Sequence, residues 1–218
     1  MTSTAPPAGT GSAAGGPVAS AVDSATTAPG AGSAPPATAC APLGSIAIRL
    51  ASAAVIVVLD LWSKARVFAW LDRLQLEGGL ERDLHGHPRY PLADGWLTFM
   101  QSRNPGAAFG QLESFPWFLV IGRSGAAVFL IWLLARTPKG RPWFTAALVL
   151  VLGGALGNLY DNLFLDAPHD GHPFGLVRDF IDVYFRGFDW HFPTFNVADS
   201  CITIGAALLL LTSLRGEK

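Results

Sequence analysis

Residues 143 to 160 read WFTAALVLVLGGALGNLY, a stretch that contains no charged side chain. An α-helix rises 1.5 Å per residue, so this stretch alone reaches about 27 Å, close to the roughly 30 Å thickness of the hydrocarbon core of a bilayer. A helix that is apolar on every face is typical of a membrane span or of a deeply buried core. The stretch therefore predicts a membrane-spanning helix.

Three further segments of the chain have the same apolar character and comparable length. They run from about Pro42 to Leu61, from about Phe115 to Ala135, and from about Phe192 to Leu214. The first carries Arg49, whose long side chain can reach the lipid headgroups. Four crossings place both chain termini on one side of the membrane and the two long connecting loops together on the other. The predicted fold class is a mainly α membrane protein with four transmembrane helices.

The composition of the whole chain agrees with this class. Of 218 residues, half are hydrophobic and 14% are charged, against about 25% charged residues in an average soluble domain. The formal net charge of −1 provides no long-range attraction to nucleic acid, which we exclude as a partner. Two cysteines, Cys40 and Cys201, are too few for a disulfide framework or a cysteine-based zinc site.

The first 43 residues differ from the rest of the chain. They consist mostly of Ala, Gly, Pro, Ser and Thr, and Asp23 is their single charged residue. Because so few large apolar side chains cannot offset the entropy of ordering, we predict a disordered tail over 1–43 and a membrane domain over 44–218. The tail lacks the basic start and the continuous apolar centre of a secretory signal.

The first long loop, from Ala65 to Glu113, is too apolar for a flexible linker. Within it, the run from Gly95 to Gln101 has the aromatic content of an amphipathic strand. We predict a small β-element in this loop that rests at the membrane surface, with Trp70, Tyr90 and Trp96 at the depth of the headgroups.

Three carboxylates lie inside or at the ends of the predicted spans, on the same side by chain parity. Asp60 closes the first span, Asp161 closes the third, and Asp199 lies about two turns inside the fourth. An ionised carboxylate in the bilayer costs at least about 2.5 kcal/mol, so it needs a polar cavity, a partner or a proton. In the second long loop, apolar side chains flank Asp179, which indicates that this segment dips back toward the membrane.

Each acid also has a structural interpretation that involves no chemistry. Lys64 follows Asp60 at the i, i+4 spacing of an intrahelical ion pair. Asp161 follows Asn158 by one helical turn and could brace the end of its helix, while Asp182 could be solvated or supporting. The acid of the fourth span is the hardest to explain in this way, because that span contains no Lys, Arg or His.

A second carboxyl group beside the acid of the fourth span would account for its burial. Two carboxyl groups within hydrogen-bonding reach cannot both ionise, so one stays protonated while the other can act as a base toward water. That is the chemistry of an aspartic peptidase. Asn158 and Asn196 belong to the same polar end, where their amides could orient the acids or stabilise an oxyanion. Gly153, Gly154 and Gly157 allow a neighbouring helix to approach the third span closely. Helix packing alone explains these glycines without any role in the site.

Five motifs then occur in a fixed order between Leu59 and about Gly205. They are LDLWSK at 59–64, NPGAAFG at 104–110, GGALGNLYD at 153–161, VRDFID at 177–182 and FNVADS at 195–200. Together, on a four-span chain of this size, they resemble the family of the lipoprotein signal peptidase, or signal peptidase II, an intramembrane aspartic peptidase of bacteria. Two positions depart from the family's pattern, since Leu61 stands where Gln is common and Asn162 stands where Arg is expected.

The resemblance implies roles for particular residues. Asp179 and Asp199 would form the catalytic dyad. The supporting or substrate-binding positions would be Asn104, Gly106, Asn158, Asp161 and Asn196, and the residues that brace the fold would be Asp60 and Lys64. The contact usually made by the expected Arg could be supplied by Arg178 or Arg186.

The resemblance also implies a reaction and a location. The substrate would be a lipid-modified prolipoprotein, cleaved just before its diacylglyceryl-modified cysteine, and neither a cofactor nor a metal would take part. The protein would be a monomer in the bacterial cytoplasmic (inner) membrane, in contact with membrane lipids, with its active site toward the extracytoplasmic face. Charge alone leaves this orientation open, because the basic turn at 136–141 and the basic residues of the first long loop favour opposite answers.

Other classes of function are compatible with some of these residues. A small transporter or proton channel also places acids in spans, although four spans without repeats match transporter architecture poorly. A metalloenzyme could use His169, Asp170, His172 and His191, but these residues have no i, i+4 His pair and a solvated loop explains them as well. A serine peptidase built on Ser200 lacks a His in any span to activate it.

Overall fold

The computed structural model of the protein contains four long helices and one antiparallel sheet. It describes residues 43–82, 86–93, 95–106, 112–167 and 171–214. The helices are α1 (Leu43–Leu76), α2 (Pro116–Arg136), α3 (Pro142–Phe164) and α4 (Val197–Leu214). All four are long and apolar enough to cross a membrane, which confirms the predicted fold class. The predicted tail, except for Leu43, lies outside the described residues.

Helix α1 is much longer than the predicted first span. Its 34 residues correspond to about 51 Å at 1.5 Å per residue, well beyond the thickness of a hydrocarbon core. The prediction that a loop begins at Ala65 is therefore wrong for residues 65–76. Residues 62 to 76 contain neither Gly nor Pro, so nothing in the chain interrupts the helix before Gly78. Gly78 has a φ of 73°, a left-handed conformation that commonly ends a helix.

Helix α4 is shorter than the predicted fourth span. Residues 192–195 belong to a strand, and the helix begins at Val197, so Asp199 lies in its first turn rather than two turns inside. An apolar run of this kind fits a strand as well as a helix, and periodicity alone does not separate the two. The local chemistry that ends the strand is a capping box. Asn196 Oδ1 accepts the backbone N–H of Asp199 at 2.9 Å, and Asp199 Oδ2 accepts the backbone N–H of Asn196 at 3.1 Å.

The sheet has five strands in the order in which they occur along the chain. They are β1 (Glu81–Arg82), β2 (Pro88–Ala93), β3 (Leu97–Asn104), β4 (Val177–Phe185) and β5 (Trp190–Phe195), and every neighbouring pair is antiparallel. The predicted β-element in the first long loop is confirmed as β1 to β3. The second long loop, for which no strand was predicted, supplies β4 and β5. Because β3 pairs with β4, both long loops lie at the same end of the helices, as chain parity predicts.

Helix α3 is the centre of the bundle and packs against the other three helices. The buried apolar cluster includes Leu148 and Leu152 of α3, Ala53 of α1, and Leu130 of α2. Gly154 allows α3 and α4 to approach each other closely, because a Cβ there would collide with the backbone carbonyl of Ala198 in α4.

Two interactions fix the ends of the bundle. At one end, Arg49 does not extend to the headgroups as predicted but is buried, and it donates to the carbonyls of Leu134 at 2.6 Å and Thr137 at 2.7 Å. It satisfies carbonyls that the end of α2 leaves without helical partners. At the other end, Trp70 in the extension of α1 packs edge-to-face on Tyr90 of the sheet, with ring centroids 5.0 Å apart. The extension therefore supports the sheet.

Candidate active site

Asp179 and Asp199 meet at the end of the bundle that carries the sheet. Asp179 comes from β4 and Asp199 from the first turn of α4, and both line one cavity. Asn196, the residue between β5 and α4, contacts both carboxylates. Its side-chain Nδ2 donates to Asp179 Oδ1 at 2.6 Å, and its backbone N–H donates to Asp199 Oδ2. The structure therefore brings together the two acids that the sequence places twenty residues apart.

Asp179 is 2% exposed and accepts hydrogen bonds on both carboxyl oxygens. Asn104 at the end of β3 donates to Oδ2 at 3.1 Å, opposite the Asn196 contact on Oδ1. Burial, followed by the charge of Asp199, raises the pKa of Asp179 to about 7 despite these donors. Near neutral pH, this carboxyl group therefore exchanges a proton readily.

Asp199 also receives a donor on each oxygen. Its Oδ2 belongs to the capping box, and Asn158 Nδ2 of α3 donates to Oδ1 at 2.8 Å. The orientation of the Asn158 amide is fixed from its other side. Its Oδ1 accepts Lys64 Nζ at 2.8 Å and Asn196 Nδ2 at 3.1 Å, so only the NH₂ group remains to face Asp199.

Next to the two acids lies an ion-paired cluster of Asp60, Lys64, Asp161 and Arg178, of which the first three are fully buried. Lys64 Nζ lies 2.7 Å from Asp60 Oδ2, which confirms the predicted i, i+4 pair, and 3.3 Å from Asp161 Oδ2. Asp161 also binds Arg178 in β4, whose Nη2 lies 2.7 Å from Oδ1. The free oxygen of Asp60 accepts the backbone N–H of Ala198 at 2.9 Å. These contacts tie α1, α3, β4 and α4 together around the acids.

Gly106 and Asp182 occupy different surroundings. Gly106 donates its backbone N–H to Asn104 Oδ1 at 2.8 Å, and residues 107–110 of the same motif lie outside the described residues. Asp182 is buried and accepts His191 Nδ1 at 3.0 Å, so it is supporting rather than solvated.

The residues of the metalloenzyme hypothesis do not converge where the structure describes them. His191 lies on β5, whereas His172 contacts the carbonyl of Phe174 through Nδ1 at 2.8 Å. His169 and Asp170 lie outside the described residues. Among the residues that the structure does describe, no group of three or more His, Cys, Asp or Glu is placed to hold a metal ion.

Arg123 of α2 is a site residue that the sequence analysis did not single out. Its guanidinium donates to Asn162 Oδ1 and to the carbonyl of Gly106, the latter at 3.0 Å, and it lines the same cavity as the two acids. The two arginines expected near Asn162 lie elsewhere. Arg178 pairs with Asp161, and Arg186 donates to the carbonyl of Gly95 at 2.9 Å. A contact across 39 residues has no local sequence signal.

The cavity has a volume of about 780 Å³, within the range of sites that hold a sizeable organic ligand. Helices α2, α3 and α4 line it together with β4 and β5. Its wall is mostly apolar, with Ala126, Ala155, Ile202 and Ile204 among its members, and its polar members include Asn104, Asn158 and the two acids. The cavity can thus hold an apolar chain while presenting one of its bonds to the carboxylates.

This architecture defines a class: an integral membrane protein of four helices with a carboxylate pair in a largely apolar cavity at the helix ends. The family model described as signal peptidase (SPase) II matches residues 52–215. The chain therefore belongs to the signal peptidase II family of bacterial membrane peptidases, and the resemblance drawn from its motifs is confirmed.

Individual relatives agree with this assignment. A lipoprotein signal peptidase of Halalkalibacterium halodurans is 36% identical over 166 residues, which cover 76% of this chain and 91% of the relative. One from Pseudomonas aeruginosa (strain UCBPP-PA14) is 39% identical over 163 residues, covering 72% and 89%. Among solved structures, a bacterial membrane enzyme determined by the in meso method at 2.3 Å resolution is similar, with a TM-score of 0.57 and 25% identity, over 81% of this chain and 91% of that chain.

Proposed function

We propose that the protein is an aspartic endopeptidase that removes the signal peptide from prolipoproteins, cleaving just before the diacylglyceryl-modified cysteine. The observation that carries the proposal is the placement of Asp179 and Asp199 on one cavity, joined through Asn196. Family membership supports signal-peptide removal, and the carboxylate pair supports the aspartic mechanism.

The charges around the pair support one shared proton. The charged side chains of the whole site are three cations and four carboxylates. They are Lys64, Arg123 and Arg178 with Asp60, Asp161, Asp179 and Asp199. One proton on one carboxyl group makes this set neutral. A neutral set is favoured because an excess charge away from water is costly. The resting state that the mechanism needs is therefore also the electrostatically balanced one.

The surroundings of each acid suggest which one is the proton donor and which one is the base. Asp179, whose pKa lies at about 7, holds the proton. Asp199, whose oxygens accept a backbone N–H and the Asn158 amide, is the ionised base. As water attacks the scissile carbonyl, Asp199 takes a proton from the water and Asp179 gives its proton to the carbonyl oxygen. Collapse of the tetrahedral intermediate breaks the C–N bond as the proton on Asp199 passes to the departing amine, and one hydroxyl of the intermediate returns its proton to Asp179 while it becomes the new carbonyl.

The cavity suits a substrate whose reacting bond lies beside lipid. A signal peptide is an apolar helix, and the modified cysteine carries two acyl chains, so both parts favour the bilayer. The apolar walls on α2 and α4 match these groups, and the acids at the helix ends meet the bond near headgroup depth. We place this end toward the extracytoplasmic face, because the opposite end carries the short basic turn between α2 and α3. We expect a monomer that needs neither a cofactor nor a metal.

The direct test is cleavage of a defined substrate by purified protein. A prolipoprotein with a diacylglyceryl-modified cysteine should be cut at the bond before that cysteine, and the same protein without the lipid should be cut far more slowly. Asp179→Asn and Asp199→Asn should each lose at least about a hundredfold in kcat, because an amide cannot exchange the proton. Asp166→Asn is the matched control, since Asp166 is exposed beyond α3. Substantial turnover by either dyad variant would remove that residue from the mechanism.

A further inference from the structure

Arg123 is a cation within a membrane helix, and its two described contacts join separate parts of the fold. One guanidinium nitrogen donates to the side chain of Asn162 at the end of α3, and the other donates to the carbonyl of Gly106 after β3. Cations in membrane spans are expensive and usually face a polar site. Here that site is the cavity of Asp179 and Asp199, with both of which Arg123 interacts electrostatically.

The contact with Gly106 leads directly to Asp179. The backbone carbonyl of Gly106 accepts Arg123, and the backbone N–H of the same residue donates to Asn104 Oδ1 at 2.8 Å. Because Oδ1 of Asn104 is used in this way, the NH₂ group of the amide must point the other way. It donates to Asp179 Oδ2 at 3.1 Å. Three consecutive hydrogen bonds thus connect the guanidinium to the carboxyl group.

Asn162 is suited to hold Arg123 in this position. Its Oδ1 accepts from Arg123, while its Nδ2 donates to the carbonyl of Gly175 at 2.8 Å, just before β4. The Gly175 N–H in turn donates to the backbone carbonyl of Asn162 at 3.0 Å. An arginine at position 162 would remove the acceptor and set a second guanidinium against the first. The residue that departs from the family's pattern is thus the one that a cation at position 123 requires.

We propose that Arg123 is a positioning residue for Asp179, acting through the turn at Gly106 and the Asn104 amide, and that Asn162 is its matched acceptor. The proposal rests on the proposed function and adds to it a residue of α2, the one helix that contributes none of the acids. The guanidinium orients the acid and is not a group that exchanges protons with the substrate.

The test compares kcat, KM and melting temperature in a set of variants. Arg123→Gln should lower kcat about ten- to a hundredfold, the loss expected for hydrogen bonds to a charged group, while KM changes less than about threefold. Arg123→Lys should recover part of the loss, since an ammonium can serve one of the two acceptors. The matched control is Arg136→Gln at the other end of α2, where the guanidinium lies over the Trp132 ring, and it should leave kcat unchanged.

The pairing with Asn162 is tested by a double-mutant cycle. Asn162→Leu should lower kcat like Arg123→Gln, and the double variant should be no worse than the more severe single one, because both remove the same contact. Asn162→Arg should also lose activity rather than gain it.

Any one of four kinetic results would overturn the proposal. They are a kcat of Arg123→Gln within about twofold of wild type, a raised KM with kcat unchanged, multiplicative losses in the double variant, or full activity of Asn162→Arg. A proportional loss of folded protein in every variant would also reduce Arg123 to a purely structural residue. If instead the wild-type protein cleaves nothing, or the Asp179→Asn and Asp199→Asn variants stay active, the proposed function itself fails.

Discussion

Replacing Asp179 by asparagine should make the folded protein more stable at pH 8, even though it should abolish activity. In the unfolded chain this carboxyl group has its ordinary pKa of 3.8, whereas in the folded state the pKa is about 7. Between these two values, the folded state binds more protons than the unfolded state, so the free energy of unfolding falls as the pH rises. Above pH 7 this loss is complete, and the wild-type protein then carries the full cost of an ionised, buried Asp179.

The magnitude follows from the shift and from the hydrogen bonds. The difference between a pKa of 3.8 and one of about 7 corresponds to a loss of about 4 kcal/mol in the free energy of unfolding, at about 1.36 kcal/mol for each pH unit. Asparagine avoids this cost, but its NH₂ group must face one of the two amide donors, either Asn104 or Asn196. That lost hydrogen bond costs about 1 to 3 kcal/mol. The electrostatic effect is larger, and the variant should gain about 2 kcal/mol at pH 8.

Thermal unfolding in detergent micelles, followed by tryptophan fluorescence, measures the difference. At about 2 to 4 °C per kcal/mol for a chain of this size, Asp179→Asn should melt roughly 4 to 8 °C above wild type at pH 8. At pH 4 the cost of ionisation is absent and only the lost hydrogen bond remains, so the variant should melt below wild type. The exposed Asp166 provides the control, because Asp166→Asn should show no such reversal. A difference that is the same at both pH values, or a less stable variant at pH 8, would refute the reasoning.

Three further predictions concern stability and the tail. Gly157→Ala should lower the melting temperature by several degrees, because its Cβ would lie 2.5 Å from Asp60 Oδ2. The control is Gly122→Ala, which should leave the melting temperature unchanged because no atom lies within 4 Å of the new Cβ. Equal melting temperatures of the two variants would contradict the close approach at Gly157. Lys64→Met should destabilise the protein by about 3 to 5 kcal/mol in a thermal or denaturant titration, because it leaves the buried Asp60 without its cation and Asp161 with Arg178 alone. Adding Asp60→Leu should recover part of that loss, and no recovery would argue against the pair as the cause. Deleting residues 1 to 40 should leave kcat/KM for the lipidated substrate within about twofold, because the sequence of the tail lacks the apolar content to pack; a large loss with normal membrane insertion would assign the tail a function.

The helices were predictable because membrane spans are determined by the average hydropathy of many residues, and this average follows from the sequence alone. The ion pair of Asp60 and Lys64 was predictable for a similar reason, since its i, i+4 geometry is local. The long extension of α1 was missed, although the absence of Gly and Pro before Gly78 was a usable signal. The same holds for α4, where the Asn196-x-x-Asp199 spacing is a capping box.

Other features required information that the chain does not carry locally. The run at 192–195 is apolar enough for either a span or a strand, and its pairing with β4 decides between them. The contact of Arg123 with Asn162 depends on how α2 and α3 pack, so the sequence suggested Arg178 instead because it is near Asp179 along the chain. Short-range spacing thus predicted the pair of Asp60 and Lys64, and tertiary packing determined which other cations and acceptors meet.

The capping box of α4 has a consequence for how such a protein is made. A ribosome delivers the chain from the N-terminus, so Asp199 is synthesised after the segments that form the first three of the four helices. Asp179 acquires its partner Asn104 only when β4, from the second long loop, pairs with β3 from the first. Until α4 is made, the nascent chain lacks one of the two carboxylates that line the cavity. The proposed pair of acids is therefore completed only at the end of synthesis, when the chain already contains all the other residues that hold it.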